Sequence, residues 1–218
     1  TLTANGCVNT QNVLVTVNPR PTVTVSGNTT ICSGMTTAGP PPLPGEHGTG
    51  GDSGFPTVIF TFTGSSPWNL SYTDGTNTYA MTGITANPLL VGVLPAVTTV
   101  YTATGLSDSQ CTASAGGISG SAIVTVNPIP YVNPLADQVT YNGGTTTAVI
   151  FTGSGTSYDW TNSNPSIGLS AGGTGNIPSF TAINAGETPV IATITVTPKY
   201  TNNSITCDGL LTSFTITV

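Results

Sequence analysis

The 218-residue chain carries a formal net charge of −6 at pH 7, yet only 5% of its residues are charged, against about 25% in an ordinary soluble domain. Its two basic residues, Arg20 and Lys199, cannot neutralise a run of phosphates, so the composition argues against nucleic acid or anionic lipid as a partner. Because 37% of the residues are hydrophobic, the sequence also differs from a disordered chain, which combines low hydrophobicity with high charge.

One sequence phrase organises the chain and occurs twice. Residues 13–21 (VLVTVNPRP) and 122–130 (AIVTVNPIP) each join β-branched residues to an Asn-Pro-x-Pro ending, which predicts a strand followed by a stiff, extended linker. A third copy of the strand, residues 213–218 (SFTITV), ends the sequence. The spacing of the copies suits tandem domains of about 100 residues, so we expect a piece of a longer protein built of modules.

Residues 1–17 are predicted to be the last strands of a preceding, truncated module. Residues 1–4 have the pattern of a penultimate strand, residues 5–7 that of a turn, and residues 12–17 that of a last strand. An isolated strand leaves its backbone groups unpaired. We therefore expect order in this segment only where it finds a partner.

The first complete module is predicted over residues 18–126. Alternating apolar residues place Val58, Phe60 and Phe62 on one face of a strand, and Asp74-Gly75 predicts a hairpin turn. The predicted strands are 21–26, 29–34, 56–63, 68–73, 78–81, 89–93, 98–104 and 121–126. Short strands separated by turn signals, with no helical periodicity, favour an immunoglobulin-like β-sandwich.

The second complete module, residues 127–218, follows the same plan. Trp160 falls where such sandwiches bury an aromatic residue on the third strand, so we predict it in the core. The predicted strands are 138–141, 146–151, 157–161, 167–170, 179–182, 190–197 and 211–218. The predicted fold class is therefore all-β, with tandem β-sandwich modules in an elongated array.

The four cysteines, Cys7, Cys32, Cys111 and Cys207, include no Cys-x-x-Cys pair, which favours disulfides outside the cytoplasm over a metal cluster. Sandwich topology is expected to bring Cys32 and Cys111 to one end of the first module. We predict a disulfide between them, the alternative being two buried free thiols. Cys7 is predicted to be unpaired because its module is truncated, and Cys207 is predicted to be a free thiol.

We expect no enzyme and no cofactor. His47 is the only histidine, and it lies in a Pro- and Gly-rich stretch, residues 38–56, without the flanking machinery of a catalytic triad. Glu46, His47 and Asp52 are weak candidates for a divalent-ion site, because their spacing matches no known loop such as the EF-hand. A solvated surface loop is the favoured interpretation.

An exposed aromatic face is the other candidate binding site. Tyr72, Tyr79, Tyr101 and Tyr200 could stack on sugars if they lay together on the surface. Alternation along their strands predicts that about half of them point inward. A carbohydrate- or ligand-binding module, using this face or the 38–56 loop, is thus the alternative function.

No apolar run approaches the roughly 20 residues that span a bilayer, and no signal-peptide pattern opens the chain. We expect no membrane insertion and an exported, extracellular protein whose signal peptide lies outside the 218 residues.

Several motifs resemble one family of repeats. The Val-Asn-Pro-x-Pro junctions, residues 31–34 (ICSG), 67–75 (PWNLSYTDG), 142–148 (NGGTTTA) and 167–180 are similar to the PKD-like and immunoglobulin-like repeats of giant Bacteroidetes cell-surface adhesins of the gliding-motility type. Two features depart from that pattern. The 38–56 insertion interrupts the second strand, and Tyr141 stands where the repeat usually has a cysteine, which leaves Cys207 without a partner in its own module.

The resemblance implies a non-enzymatic stalk of a secreted surface protein, active in gliding motility or surface attachment. It also implies the partners: other modules of the same chain, the type IX secretion machinery during export and, with weaker support, surface polysaccharide. The linkers, stiffened by proline, would project a distal binding region away from the cell.

Overall fold

The computed structural model describes residues 2–4, 7–9, 12–14, 16–34 and 55–218, with the backbone alone for the first two ranges. Over these residues the chain is all-β, with short 3-10 turns at Ala115–Gly117 and Pro165–Ile167. Its strands are β1 (Leu2–Ala4), β2 (Cys7–Asn9), β3 (Val23–Ser26), β4 (Thr29–Cys32), β5 (Thr57–Phe62), β6 (Trp68–Thr73), β7 (Thr78–Ile84), β8 (Leu89–Gly92), β9 (Thr99–Ser107), β10 (Ile118–Gly120), β11 (Ala122–Asn127), β12 (Gln138–Val139), β13 (Ser157–Asn162), β14 (Gly172–Thr174), β15 (Ile191–Asn202), β16 (Ile205–Asp208) and β17 (Thr212–Thr217).

Two sheets enclose the first hydrophobic core. One has the strand order β10-β3-β5-β8 and the other β4-β11-β9-β6-β7. In β5 the predicted face is confirmed, because Val58, Phe60 and Phe62 are buried while the residues between them are not. The rings of Phe60 on β5 and Tyr72 on β6 lie 5.2 Å apart, so side chains of the two sheets meet. This arrangement is consistent with a β-sandwich.

The second core is separate from the first and contains residues from Val132 to Val218. Its main sheet has the order β12-β17-β15-β13-β14, and β16 pairs with β15. The layer packed against this sheet is less regular and is held by isolated bridges such as Val149 with Ile177. Trp160 on β13 is buried in this core, as predicted.

The repeated strand has the same neighbours in both cores. β11 pairs in parallel with β4 and antiparallel with β9. β17 pairs in parallel with β12 and antiparallel with β15. The second and third copies of the sequence repeat therefore occupy equivalent places in the structure.

The first copy differs. The described residues of the predicted strand 12–17 are not in a strand, and Val13, Leu14 and Val17 are exposed. Upstream of them, β1 and β2 pair antiparallel. The strand predicted at 12–17 is therefore not formed in its described part.

Several predictions for the second core are wrong. Residues 146–151 and 179–182 are not strands, because they meet residues 177 and 145 only at isolated bridges. The strand predicted at 167–170 is replaced by the 3-10 turn Pro165–Ile167, in which the Asn164 side chain accepts a hydrogen bond from the backbone N–H of Ser166. Across the described residues, four short strands were not predicted: β2, β10, β14 and β16.

Among the described residues, no helix combines the length and apolar character needed to cross a bilayer.

Candidate functional site at the junction of the two cores

The repeated strand β11 brings Asn127 and Cys32 together. Parallel pairing of β11 with β4 puts these two residues in register at the ends of both strands. The backbone N–H of Ser33 donates to the carbonyl oxygen of Asn127 at 2.7 Å. Pro128 follows and has no N–H with which to continue the pairing. The sheet of the first core therefore ends where the chain passes towards the second core.

Asn127 is 1% exposed, and its side chain binds the β15–β16 hairpin of the second core. Its Nδ2 donates to the carbonyl oxygens of Asn202 at 3.3 Å and Ile205 at 3.2 Å. Its Oδ1 accepts a hydrogen bond from Nδ2 of Asn202 at 3.1 Å. A primary amide supplies two N–H donors and an acceptor oxygen on one short side chain, so Asn127 fixes the position of the hairpin relative to β11.

A disulfide joins the two cores beside Asn127. Cys32 at the end of β4 is bonded to Cys207 on β16, with a Cα–Cα distance of 5.6 Å and a sequence separation of 175 residues. Cys207 is buried. The predicted Cys32–Cys111 disulfide is therefore wrong, and so is the prediction that Cys207 is a free thiol.

The register of the first core explains the error. β4 runs parallel to β11 and β9 runs antiparallel to it, with Thr99 opposite Val124. Cys32, at the end of β4, therefore lies near the start of β9, whereas Cys111 follows the end of β9. The two cysteines are at opposite ends of one sheet, and within the described residues Cys111 has no disulfide partner.

The turn of the β15–β16 hairpin makes a further contact with the first core. Asn203 and Ser204 both have positive φ, 48° and 62°, as a tight two-residue hairpin turn requires. This conformation allows Nδ2 of Asn203 to donate to the hydroxyl of Thr30 on β4 at 3.2 Å. An open cleft of about 530 Å³ lies between these elements and is lined by Thr30, Ile123 and Ile205 among others.

The linker itself packs on the second core. Pro130 is buried, and its carbonyl group lies so close to Gly209 that a Cβ on that residue would overlap it. Pro198 on β15 flanks the same glycine. The linker is therefore seated on the hairpin, and the linker, Asn127 and the disulfide all hold the same joint.

The charged groups near the joint form one small cluster. Nζ of Lys199 lies 2.9 Å from Oδ1 of Asp208 and 3.5 Å from Oδ2 of Asp159. The hydrogen bond to Asp208 raises the pKa of Lys199 above its ordinary value. The cluster offers neither a nucleophile beside a base nor a set of metal ligands, so the chemistry of the joint is covalent and hydrogen-bonding attachment.

The other predicted site residues are not part of the joint. Tyr72 and Tyr101 are buried, and burial raises the pKa of each to about 12. Tyr79 and Tyr200 are half-buried. The prediction that about half of these tyrosines point inward is confirmed, and the four do not form an exposed aromatic face.

The weak metal candidates Glu46, His47 and Asp52, with residues 35–54 of the 38–56 insertion, lie outside the described residues, as does the side chain of Cys7. In the part of the chain that the structure describes, no three His, Cys, Asp or Glu side chains are grouped so that they could hold a metal ion.

Sequence reasoning missed Asn127 and the β15–β16 hairpin as parts of a joint. Two signals pointed to them. The Asn-Pro-x-Pro phrase repeats its asparagine as well as its prolines, and Asn203-Ser204 is a turn sequence inside the predicted loop before Cys207. The pairing of Cys32 with Cys207 needed the parallel register of β4 and β11, which no local pattern reveals.

No protein-family model and no curated protein sequence matches the chain.

Proposed function

We propose that the chain is a pair of immunoglobulin-like β-sandwich modules from the shaft of a large secreted bacterial cell-surface adhesin. In this role residues 18–126 and 127–218 are non-enzymatic spacers. The observation that carries the proposal is the joint, where a disulfide, the buried Asn127 and the seated linker hold two separate cores. A shaft needs fixed joints because each freely rotating link shortens its mean reach.

The composition and the disulfide support the same role. A disulfide persists in oxidising compartments, which agrees with export to the cell surface. A surface with 5% charged residues has few ion pairs for salt to screen. Gliding motility or surface attachment, export by the type IX machinery and contact with surface polysaccharide rest on the resemblance of the repeats to adhesin modules.

Small-angle X-ray scattering of the oxidised 218-residue chain tests the proposal. We expect an elongated particle whose longest dimension is close to two sandwich lengths. A compact particle with the cores packed side by side would contradict the spacer role. A glycan array probed with the same sample provides a second test, and saturable binding would favour the ligand-binding alternative.

A further inference from the structure

Each Asn-Pro-x-Pro linker packs against the core that follows it, and the two linkers do so in the same way. Pro130 presents its carbonyl oxygen to Gly209, and Pro21 presents its own to Gly117, where a Cβ would lie 3.1 Å away. Both prolines are buried. Each glycine lies between a cysteine and the last strand of its core, so the two linkers sit at equivalent places.

Cys111 has the place in the first core that Cys207 has in the second. In the second core, Asn127 of the linker contacts the hairpin that carries Cys207. In the first core, Nδ2 of Asn18 donates to Oε1 of Gln110 at 3.2 Å, and Sγ of Cys111 lies 3.8 Å from the carbonyl oxygen of Asn18. A linker asparagine thus lies beside a cysteine-bearing turn at both docking sites.

The turn of Cys111 is held in place by one carboxylate. Oδ1 of Asp108 accepts hydrogen bonds from the backbone N–H groups of Gln110 (2.8 Å) and Cys111 (2.6 Å). Oδ2 accepts one from the N–H of Ser65 at 2.9 Å. Asp108 therefore positions the thiol at Asn18.

The position of a partner for Cys111 follows from the second joint. Cys32 lies on β4, which is parallel to β11, and it is in register with Asn127. This position allows it to bond to Cys207. The equivalent partner of Cys111 would lie in register with Asn18, on a strand parallel to residues 13–18. The sequence has no second cysteine at a position equivalent to Cys32, because the residue at that position in the second core is Tyr141.

The exposed side chains of Val13, Leu14 and Val17 indicate where that strand comes from. Val13, Leu14 and Val17 are 80%, 92% and 84% exposed, whereas their counterparts in β11 are less exposed: Ala122 is fully buried and Ile123 is 38% exposed. β11 is paired with β4 on one side and with β9 on the other. The described residues of the first copy thus lie outside a sheet, although their sequence suits one. A preceding module of the same type would supply both neighbouring strands and bury Val13 as Ala122 is buried in β11.

We infer that Cys111 forms a second disulfide between modules, with a cysteine of a preceding module of the same polypeptide. The inference rests on the proposed function in so far as it requires a tandem array. Two thiols and one molecule of a disulfide oxidant, such as oxidised glutathione, give the protein disulfide and two molecules of the reduced thiol by two thiol–disulfide exchanges. The array is then linked covalently at successive joints, up to the second core, where Tyr141 replaces the cysteine.

An extended chain tests this inference. Residues 1–17 are replaced by a second copy of residues 18–126, so that the last strand of the added copy directly precedes Asn18. The added copy carries Ser33→Thr, which gives its Cys32 peptide a distinct mass, and Cys111→Ser, which leaves the original Cys111 as the one cysteine at that position. After refolding with oxidised and reduced glutathione, peptic peptides are mapped by mass spectrometry without reduction. We expect the Cys32 of the added copy to be linked to Cys111, and the original Cys32 to Cys207. In the 218-residue chain treated likewise, Cys111 should react fully with N-ethylmaleimide.

The original Cys32–Cys207 bond is the internal control for folding. A Cys111→Ser variant of the extended chain should leave the added Cys32 open to alkylation. The inference is wrong if Cys111 stays alkylatable in a molecule whose Cys32–Cys207 bond has formed, or if Cys111 pairs with Cys7 in the 218-residue chain. Scattering on the same samples tests the spacer role separately. If the particle is elongated but Cys111 is reduced, the second disulfide is rejected and the spacer role is not.

Discussion

At the scale of single residues, the joint depends on the amide of Asn127. Its two donor contacts and one acceptor contact all go to the β15–β16 hairpin. The matching asparagine of the other linker, Asn18, is exposed and makes one side-chain contact, to Gln110. The same residue type therefore has a structural role in one linker and a much smaller one in the other.

We expect Asn127→Ala to lower the free energy of unfolding by about 1–3 kcal/mol, because it removes the hydrogen bonds that the buried Asn127 side chain makes to Asn202 and Ile205. Chemical denaturation of the oxidised protein measures the change. Asn18→Ala is the matched control and should change stability by no more than about 0.5 kcal/mol, as exposed substitutions usually do. Similar small effects of both substitutions would show that Asn127 does not hold the joint.

At the scale of elements, the turn after β9 depends on the ionised Asp108. Hydrogen bonds from the backbone N–H groups of Ser65, Cys111 and Gln110, in that order of effect, hold its pKa below the ordinary value. A carboxyl whose pKa is lower in the folded state stabilises the protein above its unfolded pKa, about 3.9. That stabilisation is lost as the pH falls through the folded pKa.

We therefore expect Asp108→Asn to lower the melting temperature at neutral pH, because an amide cannot accept on both sides of the turn. The difference from the unchanged protein should narrow as the pH falls below about 4, where the carboxyl of the unfolded chain is protonated. Thermal unfolding from pH 2 to pH 8 measures it. A difference that stays constant over this range would mean that charge is not the cause.

Strand prediction succeeded where alternation decides burial. In the first core, β5 and β6 lie within or match the predicted segments 56–63 and 68–73, because one face of each strand is buried and the other is not. In the second core, residues 146–151 have similar β-branched character but pair only at isolated bridges. There alternation holds only at the end of the segment, where Val149 and Phe151 are buried and Ile150 is exposed. The local pattern does not decide the hydrogen bonding, which depends on distant partners.

The joint was harder to predict because it depends on contacts across a long sequence separation. Cys32 and Cys207 are 175 residues apart, and only the parallel pairing of β4 with β11 shows that Cys32 faces the second core. Lys199 lies beyond the predicted strand 190–197, but in the structure it lies inside β15. There it pairs with Ser157 on β13 and with Asp208 on β16.

This position gives a prediction for trypsin. Arg20 is followed by Pro21, so Lys199-Tyr200 is the one good cleavage site in the sequence. Because that bond lies in a strand paired on both sides, the folded chain should resist trypsin, whereas the urea-unfolded chain should be cut once. The two fragments should then separate on a gel only after reduction, since Cys32–Cys207 joins them. Cleavage of the folded chain would show that the β15–β16 hairpin opens readily.

At the scale of the whole molecule, the disulfide provides a covalent path between the two cores. A force applied at the two ends of the chain passes from Cys32 directly to Cys207, so the residues between them form a closed loop. Most strands of both cores lie inside this loop. Such a path would limit the extension of a shaft under tension, because unfolding of the residues inside the loop cannot increase the distance between Cys32 and Cys207.

Single-molecule pulling on the 218-residue chain tests this mechanical role. In the oxidised protein only residues 1–32 and 207–218 can extend. Reduction frees a segment of 175 residues, which adds about 600 Å of contour length at about 3.5 Å per residue. Cys207→Ser should show the long extension without reductant, and Cys111→Ser, which leaves the loop closed, should behave like the unchanged chain. An oxidised chain that extends as far as the reduced one would show that Cys32–Cys207 carries no load.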